Sequence, residues 1–319
     1  MLRGPAREER PHAVLLLFAQ AILMTSVNMP PSLPAATTLG PIRLTVTDLA
    51  TEAAFYEQVI GLVPLRHDGE EATLGTPDGT PLLELVERAD AGERPRRSAG
   101  LFHLAILLPT RADLALALRR LATARYPLEG ASDHLVSEAL YLSDPEGNGI
   151  EIYRDRPRAE WEREPDGQIK MATLPLDLDS VIDAMPPEVD ATTPNASVPD
   201  GTVLGHVHLQ VSDLEQAEAF YNGVLGFDVV VRGYPGALFV SAGGYHHHLG
   251  LNTWASAGGA PNTPGTRGLD RFEVVLPDAA ALAEVRARLD AARTPALESD
   301  GALFATDPFG NGLRFVAAA

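Results

Sequence analysis

The chain has 319 residues, enough for two average domains, and it contains ample apolar material for a core. Its formal net charge of −18 argues against nucleic acid or an anionic membrane as the main partner. Cysteine is absent. Disulfides, thiolate nucleophiles and zinc–thiolate sites are therefore excluded, and any bound metal must be held by nitrogen and oxygen ligands.

We predict that residues 1–38 form an N-terminal tail. Within it, three arginines precede the apolar run 13–24, a pattern that is typical of a signal peptide and too short to span a bilayer. The alternative is a misassigned start, with Met29 as the first residue ahead of a proline-rich lead-in. We favour the misassigned start, because an acidic protein without cysteine fits the cytoplasm, and we expect no membrane partner.

Residues 39–155 form the first predicted domain and contain two segments, which we name modules A (41–87) and B (100–154). Each opens with an apolar strand pattern, continues into a helical pattern and ends in two or three further strands. Module B closes with Asp144-Pro145-Glu146-Gly147-Asn148-Gly149, a turn before a last strand.

Residues 156–202, rich in proline, aspartate and alanine, predict a long connection with a short helix near Leu178–Met185. The second predicted domain, 203–319, repeats the first. Module C (203–254) repeats the opening of module A, and module D (267–317) repeats the opening and the closing turn of module B. The sequence therefore predicts an α+β fold built from four βαβββ modules.

These motifs, taken as a set, resemble the vicinal oxygen chelate superfamily, which includes glyoxalase I, the fosfomycin and bleomycin resistance proteins and the extradiol ring-cleaving dioxygenases. The resemblance covers 41–317 apart from the connection. Two segments, 137–145 and 244–248, are similar to the bacterial catechol 2,3-dioxygenase group. The resemblance implies that the modules pair edge to edge into two cups.

The resemblance also implies metal ligands on the first strands of two paired modules and on a last strand. In modules B and C these positions hold His103, Glu151 and His206. Two histidines and one carboxylate form the ligand set that suits non-haem Fe(II), with Mn(II) as the alternative.

The other modules lack this set. Module A has Pro41 at its opening and Glu84 near its close, and module D has Arg271 and Arg314, which cannot ligate a cation. We therefore predict that B pairs with C around the metal and that A pairs with D as a metal-free scaffold, although consecutive modules pair more often in the family.

Seven of the nine histidines lie between residues 103 and 248, and three of them are consecutive. The resemblance implies that His247 is the acid/base residue beside the metal, with His246 before it as a second catalytic candidate. His248 is a possible fourth ligand. Side chains alternate along a strand, so only His246 and His248 are expected to share a face, and which of the three points at the metal stays open.

Four further residues are candidates for the substrate side of the site. Tyr141 lies ten residues before Glu151, where the resemblance implies a hydrogen bond to the substrate; the alternative is a core tyrosine. His134 either reaches the substrate as a catalytic group or belongs to a surface loop. His208 either lines the pocket or is structural, and Asn252 is assigned with it to substrate binding.

The resemblance thus implies a metal-dependent extradiol dioxygenase that cleaves a catechol-type aromatic diol with O2. One alternative is a glyoxalase-like isomerase or thiol transferase, which would often use four protein ligands. Another is a non-catalytic protein that binds an aromatic compound. Four modules already make two complete cups in one chain, so a homo-oligomer is possible but not required.

Overall fold

The computed structural model describes residues 32–189 and 196–318, together with Met1. The signal-like run and the alternative start at Met29 lie outside the described residues. Within the described part of the chain, no helix combines the length and the hydropathy that crossing a membrane requires.

The four predicted βαβββ modules are confirmed. Module A consists of β1 (Thr38–Val46), α1 (Leu49–Phe55) with a π-helical continuation (Tyr56–Ile60), β2 (Val63–Asp68), β3 (Glu71–Gly75) and β4 (Pro81–Glu87). Module B consists of β5 (Gly100–Leu108), α2 (Arg111–Ala124), β6 (Gly130–Asp133), β7 (Ser137–Ser143) and β8 (Gly149–Asp155).

The connection carries a 3₁₀ turn (Arg158–Glu160), β9 (Leu174–Pro175) and α3 (Leu178–Ile182), which is the predicted short helix. Module C consists of β10 (Val203–Gln210), α4 (Leu214–Glu218) with a π-helical continuation (Ala219–Leu225), β11 (Asp228–Val231), β12 (Ala237–Ser241) and β13 (Leu249–Asn252). Module D consists of β14 (Gly268–Leu276), α5 (Ala279–Ala291), β15 (Ala296–Ser299), β16 (Ala302–Thr306) and β17 (Gly312–Ala317).

Side-chain caps explain why each module turns from its first strand into a helix. The side chains of Asp48, Asp213 and Asp278 each accept a hydrogen bond from a backbone N–H three residues later. Thr110 and Asp113 form a reciprocal capping box at the start of α2. The repeated strand-to-helix openings in the sequence therefore mark real helix starts.

Two sheets contain the strands of the described residues. One has the order β11-β12-β13-β10-β5-β8-β7-β6-β9 and joins modules C and B, and the other has the order β15-β16-β17-β14-β1-β4-β3-β2 and joins D and A. The predicted B–C and A–D pairings are thus confirmed. The division of the chain into one domain at 39–155 and another at 203–319 stays a prediction. Each sheet combines one module from the first segment with one from the second.

Where modules B and C meet, side chains along β5 and β10 point alternately into the hydrophobic core and into the cup. On β5 and β10, Leu104, Ile106 and Val207 are buried in one hydrophobic cluster that includes residues of all four modules. Neighbouring residues point to the opposite face of the sheet. That face carries the histidines of both strands, so the fold directs them into the cup.

Candidate metal centre

The three predicted metal ligands lie on adjacent strands at the centre of the B–C sheet. Ala105 on β5 has His206 of β10 on one side and Glu151 of β8 on the other. His103 lies two residues before Ala105, on the same face of β5. The strand register therefore brings three side chains from distant parts of the sequence to one point.

At that point the ligand atoms converge on a single carboxylate oxygen. Glu151 Oε2 lies 3.0 Å from His103 Nε2 and 3.1 Å from His206 Nε2, and the two nitrogens are 3.3 Å apart. All three side chains are buried. Among the described residues, this is the one group of three or more potential ligands whose atoms all lie within 4.8 Å of one another.

The local electrostatics favour the protonation states that bind a cation. Burial acts to raise the pKa of Glu151, but His206 and His103 outweigh it and hold that pKa well below its usual range. Burial lowers the pKa of His206 to about 4, against the effect of Glu151. Near neutral pH His206 is therefore uncharged. An ionised carboxylate beside an uncharged imidazole fits a divalent cation with positions left for other ligands.

The consecutive histidines lie in a loop, because β13 begins only at Leu249. Strand alternation therefore does not apply to these residues, and the shared face of His246 and His248 stays a prediction. His247 lines the cavity, and its ring centroid is 4.1 Å from that of His206. His246 and His248 are buried behind it.

A chain of hydrogen bonds fixes the orientation of His247. His246 Nε2 is 2.8 Å from Asp155 Oδ1, and His246 Nδ1 is 2.8 Å from His247 Nδ1. Since a carboxylate only accepts, His246 donates from Nε2 and its Nδ1 accepts from His247. This leaves the lone pair of His247 on Nε2. Burial holds the pKa of His247 well below its usual value, so the ring is neutral.

His248 is held away from the three-ligand group. Its Nδ1 accepts a hydrogen bond from the backbone N–H of Ala242 at 3.1 Å and lies 2.9 Å from Ser241 Oγ. Burial lowers its pKa to about 4. The group within 4.8 Å does not include His248, so nothing in this geometry supports a fourth histidine ligand.

Tyr141 and His134 form a second hydrogen-bonded pair beside the centre. Tyr141 lies opposite Glu151 in the β7–β8 register, and its hydroxyl is 2.7 Å from His134 Nε2. His134 Nδ1 is 2.7 Å from the carbonyl oxygen of Ala172, which can only accept. His134 therefore donates from Nδ1 to this carbonyl and accepts the Tyr141 hydrogen at Nε2.

The two residues assigned to substrate binding lie in different places. His208 lines the cavity, packs its ring against His103 and has no hydrogen-bond partner at Nε2 among the described residues. Gly250 leaves room for it, since a Cβ there would lie 2.8 Å from the His208 ring. Asn252 is buried on β13, away from the cavity wall, and its Oδ1 accepts from the backbone of Trp254.

A cavity of about 520 Å³ lies over the three-ligand group. Its walls include residues that the sequence did not single out: Arg94, Phe102, Tyr234, Phe239 and Trp254. Asp155, which orients His246, was also not identified. Asp155 ends the last strand of module B, next to the predicted site, whereas Arg94 lies in the stretch between modules A and B, where no repeated motif marks it.

The comparisons with known proteins agree with this architecture. A model of the Glyoxalase/Bleomycin resistance protein/Dioxygenase superfamily matches residues 38–152 and 203–315, so the chain belongs to that superfamily. The chain is 44% identical over 275 residues to a Bacillus subtilis (strain 168) protein named catechol-2,3-dioxygenase, a match that covers 85% of this chain and 94% of that relative.

Two crystal structures share the fold at low sequence identity. A Bacillus subtilis protein aligns with a TM-score of 0.61 and 14% identity over 91% of this chain and 86% of its own. Glyoxalase I from Zea mays aligns with a TM-score of 0.54 and 16% identity over 88% of this chain and 92% of its own.

Proposed function

We propose that this protein is a metal-dependent extradiol dioxygenase that cleaves catechol-type aromatic diols with O2. The observation that carries the proposal is the convergence of His103, His206 and Glu151 at the base of a cavity of about 520 Å³. The relative named catechol-2,3-dioxygenase supports the choice of reaction. Fe(II) is the proposed metal and Mn(II) the alternative, because two imidazoles and one carboxylate suit both ions.

In this proposal, His103, His206 and Glu151 hold the metal. When bound there, the ion lowers the pKa of the diol hydroxyls and brings the diol and O2 together. Every other contribution comes from the side chains around the centre, and each of these has a defined donor or acceptor at the cavity.

His247 is the proposed general base. Its Nε2 lone pair is available, because Nδ1 donates into the chain of His246 and Asp155. A neutral imidazole next to the ligand His206 can take a proton from a diol hydroxyl at Nε2 and return it later in the reaction. Asp155 acts through His246 and is a positioning residue.

Tyr141 is proposed to hold a substrate oxygen. Because its hydrogen is donated to His134, its oxygen lone pairs remain for a hydrogen bond from the second diol hydroxyl. Burial and the charge of Glu151 hold the pKa of Tyr141 well above its usual value, which keeps the phenol protonated near neutral pH. His134 and the Ala172 carbonyl keep the phenol oriented.

The test is anaerobic loading with Fe(II), followed by catechol in air, while the yellow ring-opened semialdehyde is measured by its absorbance. Purified protein with one equivalent of iron is expected to form the product, and His103→Ala is expected to lose both iron and product. Iron-loaded protein that leaves catechol unchanged would contradict ring cleavage. Full iron content and rate in His103→Ala would contradict the ligand assignment.

The same assay distinguishes the two metals. Metal-free protein is divided and loaded with Fe(II) or Mn(II), and the rates are compared at equal measured metal content. A higher rate with Fe(II) is expected. A higher rate with Mn(II) would replace iron in the proposal and leave the three ligands in place.

A further inference from the structure

Arg94 lies at one end of the cavity wall, held by the first residues of β5. Its Nη1 donates a hydrogen bond to the carbonyl oxygen of Leu101 at 2.7 Å. This is the one hydrogen bond that the Arg94 side chain makes among the described residues. A guanidinium carries five N–H donors in a planar fork. Most of the Arg94 donors are therefore free of a partner in the described part of the chain.

A bulge in β5 directs this guanidinium to the metal face of the sheet. His103 lies opposite His208, but the next pairs are Leu101 with Leu209 and Gly100 with Gln210, so the bulge is at Phe102. Gln210 lies two residues from His208 and shares its face, which puts Gly100 on that face as well. Gly100 has φ +138°, and a Cβ there would lie 2.4 Å from Arg94 Nη1. The guanidinium thus covers Gly100 inside the cup.

The charge of Arg94 has no ion-pair partner among the described residues. No acidic side chain of the described residues lies within ion-pair distance of it, and burial lowers its pKa without an opposing contribution from a carboxylate. The arginines of the A–D cup differ: Arg43 and Arg271 each have carboxylate oxygens within 3.3 Å. A partly buried cation facing a cavity without an ion-pair partner is stabilised when a ligand supplies the anion.

The cavity has room for such a ligand. A cavity of roughly 150 Å³ is enough for a benzene ring, whereas this one measures about 520 Å³. Gln210, two residues from His208, is roughly 6.6 Å further along β10 at the usual strand rise. A ring bound over His103 and His206 therefore has space for a side chain that extends toward Arg94 and Gln210.

We propose that Arg94 binds a carboxylate carried on the ring of the substrate, so that the preferred diols are catechols with a short acidic side chain. The guanidinium fork is suited to bidentate binding of a carboxylate. This inference rests on the proposed function, since it assumes that the diol end lies at the three-ligand group. Arg94 is then a specificity-determining residue rather than a catalytic one.

The experiment compares two probes of nearly equal shape, 3,4-dihydroxyphenylacetate and its neutral amide. Their dissociation constants are measured by calorimetry with iron-loaded protein under anaerobic conditions, so the result does not depend on catalysis. Wild-type protein is expected to bind the anion about 10- to 100-fold more tightly than the amide, the range of a charge-assisted hydrogen bond. Arg94→Gln is expected to bring this ratio close to one, and Arg94→Lys to leave part of it.

Arg96→Gln is the matched control, because Arg96 is exposed in the same loop; it is expected to keep the wild-type ratio. Equal affinity of wild-type protein for anion and amide would overturn the inference, and so would an Arg94→Gln variant that weakens both probes equally. KM values for ring cleavage are then measured with both probes. If no diol is cleaved but the anion preference depends on Arg94, the proposed function fails and the carboxylate site stands.

Discussion

The B–C and A–D cups are built on the same strand frame and differ in the residues that face inward. At equivalent positions, His103 corresponds to Arg271, Glu151 to Arg314 and Tyr141 to Phe304. In the B–C cup, nitrogen and oxygen donors converge on one point. In the A–D cup, the cavity of about 280 Å³ is lined by arginines and carboxylates that neutralise one another.

The A–D cup shows what happens to this frame when the charges are satisfied within the wall. Arg43 pairs with Glu71 at 2.5 Å and with Glu84 at 3.3 Å, Arg271 also reaches Glu84, and Arg314 pairs with Glu273. No cation is needed to balance such a wall. The comparison teaches that the strand register creates a place where side chains meet, while the residue types decide whether that place binds a ligand.

The largest expected effect comes from removing the shared ligand charge. Glu151→Gln takes away the anionic oxygen that both histidines approach, so we expect loss of bound iron and a fall in ring-cleavage rate on the order of 1000-fold. Metal content and rate are measured on the same preparation. Glu84→Gln, at the equivalent position of module A, is expected to keep both; loss of iron in that variant would break the distinction between the cups.

His247→Gln tests the general base with the ligands left intact. We expect iron content near that of the wild type and a rate lower by about 100- to 10,000-fold, the usual contribution of general acid–base catalysis. His248→Gln is the comparison, because His248 bonds to Ser241 and Ala242 rather than lining the cavity. Steady-state rates that fall equally in both variants would argue for a general packing defect in the histidine loop.

A third test compares equivalent helix residues of modules A and C. Glu52 on α1 is buried, whereas the equivalent residue of module C is Ala217. Burial, then the charges of Asp144 and Glu146, raise the pKa of Glu52 from 4.5 to about 9. Between these values the folded protein keeps a proton that the unfolded chain has released, so stability falls as pH rises through this window.

Glu52→Gln is expected to remove that dependence. The free energy of unfolding is measured by urea titration from about pH 5 to about pH 9. Wild-type protein is expected to lose up to about 1.4 kcal/mol of stability per pH unit through Glu52, and the variant is expected to lack this contribution. Glu57→Gln, an exposed position on the following turn, is expected to keep the wild-type slope. An unchanged slope in Glu52→Gln would mean that another group titrates.

The smallest effect is expected for Tyr141→Phe, which gives the B–C cup the residue type of Phe304. Only the hydroxyl bonded to His134, which is proposed to hold the substrate, is lost. We therefore expect kcat/KM to fall by about 10-fold, close to the contribution of one hydrogen bond. Iron content is expected to stay the same. A larger loss together with loss of iron would show that Tyr141 supports Glu151 rather than the substrate.

The modules and their unusual pairing could be predicted from the sequence, because residues that cannot bind a metal rule out the other pairings. Arginines at 271 and 314 and a proline at 41 leave modules B and C as the source of a complete ligand set, and the sheet order agrees. Alternation could not decide the orientation of the histidine run, because it holds only inside a strand and β13 starts at Leu249. Arg94 was missed because its position in the cup depends on a bulge at Phe102, which leaves no mark in the residue pattern.

The crossed pairing of the modules has a consequence for synthesis of the chain. All strands of the B–C sheet lie between residues 100 and 252, so this sheet can close before module D leaves the ribosome. Thr38 on β1 pairs with Val275 on β14, so module A is made first but waits longest for its partner strand. During that interval an unpaired strand edge is exposed to aggregation. We expect the metal centre to be complete on the nascent chain while the scaffold sheet is still open.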